Sequence, residues 1–232
     1  MKSAFKTLAL AGAVGGLLGG EAQAASYLYT LDQSNQDAAL ADGVPYLTVL
    51  IEDAVWGSDT NAIKFTVDAD NSRFNESSDF GITAFAFNQA VGAPAIADGN
   101  IVAPSGWSGN VAPPPNQFDG FGKFLGSADG TGSTRLDPLV FWIVGVAGDT
   151  PLSYVAPSTG SAAQGNAWFA AHLAGFTIPG SSVTSAYFGG GNGAELPPAG
   201  GPTVPVPAAF WLLVSAIAGL IGIGRRGNAC PR

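Results

Sequence analysis

The chain holds one histidine and one cysteine among 232 residues, and that scarcity narrows the chemistry open to it. A structural zinc site needs four cysteines, or cysteines and histidines in pairs, so none can be built, and no disulfide can form within the chain. A serine–histidine–aspartate relay would have to use His172, yet no G-x-S-x-G elbow surrounds any serine. No G-x-x-x-x-G-K-[ST] loop is present, and the glycine runs at 15–16 and 189–191 lack the strand and helix of a nucleotide site. His172 stands in the apolar run 167–173, on the face of Trp168 and Ala170 if the strand alternates. A buried imidazole normally finds a hydrogen-bond partner, which favours a structural histidine over a ligand contact or a catalytic base.

Oxygen ligands are more plentiful. Asp68, Asp70 and Ser72 occupy positions 1, 3 and 5 of a calcium loop, with Asp79 at position 12. Position 6, where the sharp turn needs glycine, is Arg73, and the last ligand is aspartate rather than glutamate, so an acidic hairpin loop is the better account. A weak extracellular calcium site is the lesser alternative, and no other cofactor is implied. Asp53, Asp59, Asp119, Asp129, Asp137 and Asp149 fall mostly at strand ends or turns, where turn chemistry accounts for them. A glycosidase pair among them is a matter of space rather than spacing. Trp56, Trp107, Phe118 and Phe121 lie in Gly/Asp-rich stretches that read as loops. Aromatics there stack on sugar rings or cover the end of a β-domain, and Trp56, Trp107 and Phe121 are the candidates for ligand contact.

The elements that would position these groups are strands. Residues 63–68 alternate cleanly, so Ile63, Phe65 and Val67 should share a buried face. The runs 26–31, 46–51, 81–88, 139–144, 167–173 and 183–188 read likewise, with Asp- and Gly-containing breaks at 58–61, 68–72 and 128–132. About eight strands with turns between them predict an all-β fold, an antiparallel sandwich of jelly-roll-like form over residues 25–188. The chain is 47% apolar and only 11% charged, with 33 Gly and 16 Pro, which fits neither a disordered nor a collagen-like chain. Its net charge of −8 argues against nucleic acid.

The two ends read as addresses. Lys2 and Lys6, the apolar stretch 8–18 and then Ala22-Gln23-Ala24 make a secretory signal peptide over 1–24, cleaved between Ala24 and Ala25. A Gly/Pro linker over 189–203 leads to Val204-Pro205-Val206-Pro207, then seventeen uncharged residues (208–224), then Arg225-Arg226 and a short tail over 227–232. At 1.5 Å per residue the apolar segment reaches roughly 25 Å, near the short end for a transmembrane helix. Trp211 at one end and the arginine pair at the other predict the domain outside and the tail in the cytoplasm. Cys230 lies beyond this segment and cannot staple the domain.

In order, the Val-Pro-x-Pro quartet, the apolar segment and the arginine pair resemble the PEP-CTERM sorting signal of exported Gram-negative proteins. The likeness covers residues 204–226 and departs from the pattern at Val206, where the family's namesake glutamate stands. Residues 166–173 and 187–191 look like the closing segment of many short proteins of that kind, with no catalytic role implied for His172. The resemblance implies an exosortase-type processing enzyme as partner and transient anchoring in the membrane. It further implies release to the cell surface or an exopolysaccharide-rich biofilm matrix, in a structural or interaction role rather than an enzymatic one. A carbohydrate-binding module and, behind it, a glycoside hydrolase are the alternatives. Stripped of both ends, residues 25–204 keep four basic side chains (Lys64, Arg73, Lys123 and Arg135) against sixteen acidic ones, a more acidic body than the whole chain suggests.

Overall fold

A computed structural model describes residues 24–191. All of the expected leader 1–24 but Ala24, the expected linker from residue 192 on, the quartet 204–207, the apolar segment 208–224, the arginine pair and the tail with Cys230 lie outside the described residues. Among the described residues no helix is long and apolar enough to cross a membrane.

The body is all-β and antiparallel. In chain order its strands are β1 (Ser26–Ser34), β2 (Leu47–Trp56), β3 (Asp59–Ala69), β4 (Asn75–Phe87), β5 (Ile101–Val102), β6 (Ser108–Phe118), β7 (Gly122–Asp129), β8 (Leu139–Ile143), β9 (Phe169–Thr177) and β10 (Ser185–Gly190). Where the sequence suggests two packed sheets, hydrogen bonding links all ten strands into one, in the order β5-β8-β3-β2-β1-β10-β9-β4-β7-β6. The two halves of that sheet nonetheless face each other. Phe65 on β3 stacks on its ladder neighbour Phe141 at 4.6 Å and meets Phe87 of the distant β4 at 5.3 Å. Ile63, Phe65 and Val67 are buried together, as their alternation predicts.

This core of phenylalanines, with Tyr29, Val49, Ile51, Leu173 and Tyr154, lies between the halves. A smaller apolar cluster covers the outer side of β9 and β10, where Phe121 and Phe124 sit over Ala86 and Ala170. Gly189 makes that cover possible, because a Cβ there would overlap the Phe121 ring. Gly189 and Gly190 therefore belong to β10 and pair with β9, so the linker expected from 189 begins after them.

Two strands escape a sequence reading. β6 contains Pro113, Pro114 and Pro115, which read as a break. It survives because it is an edge strand whose ladder to β7 shifts register between Val111 and Asn116, so the prolines sit where no ladder donor is needed. β7 pairs with it and is interrupted in pattern by Gly126. The acidic stretch 68–72 is not a hairpin: β3 and β4 share no ladder, and the short 3-10 turn Asn71–Arg73 carries the chain from one half of the sheet to the other.

β1 and β10 are antiparallel neighbours, with Leu31 opposite Gly190 and the Gly191 amide donating to the Thr30 carbonyl at 3.0 Å. The start of β1 and the end of β10 consequently point the same way, so Ala25 and Gly191 lie toward one end of the sheet.

Candidate functional site

At the other end of the same strands lies an open cleft of about 630 Å³. Its floor is the outer face of β4, β9 and β10, carrying Thr83, Ala84, His172, Ala174, Ser185 and Tyr187. Two irregularities in the β4–β9 ladder build it. Ile82 faces Leu173 and Ala84 faces His172, which leaves Thr83 as an extra residue, a β-bulge that sends its side chain to the cleft side. Nearer the start of β4 the register jumps between Glu76 and Gly81, and the intervening segment rises as a rim carrying Ser77 and Asp79.

The histidine is held on two sides. Its Nδ1 shares a short hydrogen bond with Thr83 Oγ1, and its ring stacks on Tyr187 at 4.4 Å with 30° between planes. Burial, then the nearby Arg135 charge, lowers its pKa below 6.5, so the imidazole is neutral at pH 7. Nε2 has no partner among the described residues and points no proton relay at a carboxylate. The sequence expectation of a hydrogen-bonded structural histidine describes the Nδ1 side, while the ring also lines the cleft. Ala170 does share its face, whereas Trp168 packs with Tyr29 against the main core.

Across from it Arg135 donates through Nη1 to both the carbonyl and the carboxylate of Asp79, each at 2.7 Å. The Ser77 hydroxyl reaches the other Asp79 oxygen and the Gly175 carbonyl, fixing the rim to β9. Arg135 Nε is buried and without a partner. The Ser77 hydrogen bond, more than the arginine, holds the Asp79 carboxyl below the ordinary carboxylate range.

Other sequence candidates fare differently. Asp70 accepts from the Ser72 amide and pairs with Arg73 at 3.0 Å, Asp79 pairs with Arg135, and Asp68 is exposed on β3. The three therefore do not converge on a calcium ion, and no group of three or more His, Cys, Asp or Glu able to hold a metal exists among the described residues. The spacing of a calcium loop fails because Asp68 still belongs to a strand while Asp70 caps a turn. Trp107 is only 9% exposed and its indole N–H donates to the Thr134 carbonyl at 2.6 Å. Phe121 is fully buried and Phe118 nearly so. Both phenylalanines cover the outer side of the sheet instead of reaching solvent. Trp56 alone of the candidates is exposed, leaning on Trp142 with ring centres 4.4 Å apart.

The carboxyl groups should separate in a 13C-detected pH titration. Asp79, Asp70 and Asp59 will titrate below 3.8. Asp149 and Asp137 will titrate above it, raised chiefly by burial. The signs for stability are opposite. A depressed carboxyl stabilises the fold above its unfolded pKa, and that gain fades as pH falls through the folded value. The raised Asp149 and Asp137 cost stability when ionised, and that cost vanishes as pH falls toward 3.8. Coincident titration of all five at the ordinary value would contradict the packing described.

The sequence singled out His172 and Asp79, but not as one site, and it passed over Thr83, Arg135, Ser77 and Tyr187. A β-bulge and a register jump carry no signal in residue order, because both are properties of the pairing with β9. No family model matches the chain, and no curated protein or solved structure does so either.

Proposed function

We propose that this chain is an exported protein, sorted by its C-terminal signal to the cell surface or an exopolysaccharide-rich matrix, whose β-domain serves as a non-catalytic structural or interaction module. The observation that carries the reading is the docking of Ala25. Its amide nitrogen lies 2.7 Å from Asp53 Oδ2 and its carbonyl accepts from the Asp53 amide at 2.9 Å. These contacts tie Ala25, the residue the leader pattern marks as the mature N-terminus, to β2 just before β1 starts at Ser26. Ala25 and Gly191 lying toward one end of the sheet further suits a body tethered there before processing. In this reading an exosortase-type enzyme cuts at the Val204–Pro207 quartet, the 208–224 segment holds the membrane, and Arg225 and Arg226 stay inside. The facing halves of the continuous sheet are read as a sandwich of jelly-roll-like form.

A carbohydrate-binding module is the second reading, favoured by the exposed Trp56 beside Trp142. The hydrolase alternative has less support, since the cleft is lined by one carboxylate, Asp79, where hydrolysis uses a pair.

Intact-mass measurement on the surface-released protein tests the sorting. The expected chain begins at Ala25 and ends near Pro205–Pro207, and an external chain retaining Arg225 and Arg226 would overturn the proposal. Cleavage turns the Ala25 amide into an ammonium beside the Asp53 carboxylate. Asp53→Ala should therefore lower the stability of the processed form by about 1 kcal/mol, read by chemical denaturation.

A further inference from the structure

Resting on the reading of the domain as an interaction module, we infer that the His172–Arg135 cleft is a binding site for a neutral saccharide of one or two rings. The cleft lies at the end of β9 and β10 remote from Ala25 and Gly191. Its volume of about 630 Å³ suits such a ligand with room for water.

The lining chemistry selects the class. Asp79 and Arg135 are locked together, presenting a fixed acceptor beside a fixed donor, with the Asp79 side chain well exposed. That couple sets an acceptor beside a donor, the two roles that a sugar hydroxyl plays at once. Hydroxyls of Thr131, Thr184 and Ser185 supply further partners around the wall. The histidine offers Nε2 as one more polar contact, its Nδ1 being taken by Thr83. Ala84 and the Tyr187 ring, both half-buried on the cleft floor, contribute the apolar surface on which the C–H face of a sugar ring rests. An anion gains little here: the single guanidinium is already neutralised by Asp79, and sixteen acidic residues between 25 and 204 set a repulsive field. A cation would have to approach beside Arg135.

The test uses the full chain held in mild detergent and 15N-edited NMR. Probes are the neutral disaccharides of glucose, galactose, mannose and N-acetylglucosamine, with digalacturonate as the charged counterpart. At least one neutral sugar should shift the amides of Thr83, His172, Ser185 and Tyr187 in a saturable way, and digalacturonate should bind more weakly. Asp79→Asn and Thr184→Val should each weaken that sugar, the first by roughly tenfold, while Trp56→Ala leaves it unchanged. Asp79→Asn keeps the size of the side chain, and an unchanged amide spectrum elsewhere shows that each variant is folded. Silence across the neutral panel, tighter binding of digalacturonate, or shifts centred on Trp56 overturns the assignment. A chain that is correctly processed at both ends yet ignores every sugar fails this inference alone, and leaves the sorting proposal standing.

Discussion

Phe65→Ala should destabilise the domain by about 3–5 kcal/mol, the cost of removing a fully buried aromatic from a core that collapses only in part. Phe65 is 0% exposed and touches Phe141 in its own half of the sheet and Phe85, Phe87 and Tyr154 across the interior. Since a domain typically has only about 5–15 kcal/mol in total, the variant should lose a large part of its stability. Urea unfolding should show a lower midpoint with the same slope, which marks lost stability and not a change in the surface exposed. Val55→Ala, on the same hairpin but 64% exposed, should stay within about 0.5 kcal/mol. Equal losses from the two variants would mean that the halves do not pack as described.

Gly175→Ala should cost about 2–4 kcal/mol and spoil the cleft rim along with the fold. Two effects combine at this position. The backbone is left-handed, with φ of +81°, and a Cβ would come within 2.5 Å of the Asp79 carbonyl oxygen and 2.8 Å of the Phe80 Cα. Neither obstacle is a flexible side-chain end, so the Ser77–Phe80 rim must move. Gly180 separates the two contributions: its φ is +79°, yet nothing lies within 4 Å of its would-be Cβ. Gly180→Ala should therefore carry only the left-handed cost, about 1–2 kcal/mol. The difference between the two melts measures the contact between rim and β9. Because Asp79 rides on that contact, the 13C titration of its carboxyl should return toward 3.8 in Gly175→Ala and remain depressed in Gly180→Ala.

The residue order by itself determined the all-β class, the buried face of Ile63, Phe65 and Val67, and seven of the strand positions to within a few residues. These follow from alternation and turn chemistry, which depend on neighbours in the chain. The proposal that the two ends are targeting signals likewise rests on composition and local pattern. The tertiary structure decided the rest. It set the pairing that makes one continuous sheet, and it made Pro113–Pro115 tolerable by placing β6 on an edge. It buried Trp107 and Phe121, which local composition had put at the surface, because what covers a loop aromatic comes from elsewhere in the chain. The cleft is the sharpest case. Thr83 and His172 meet across 89 residues of sequence, and Arg135 reaches Asp79 across 56. Such meetings are fixed by strand order and by irregularities of register, and neither is written in any window of the sequence.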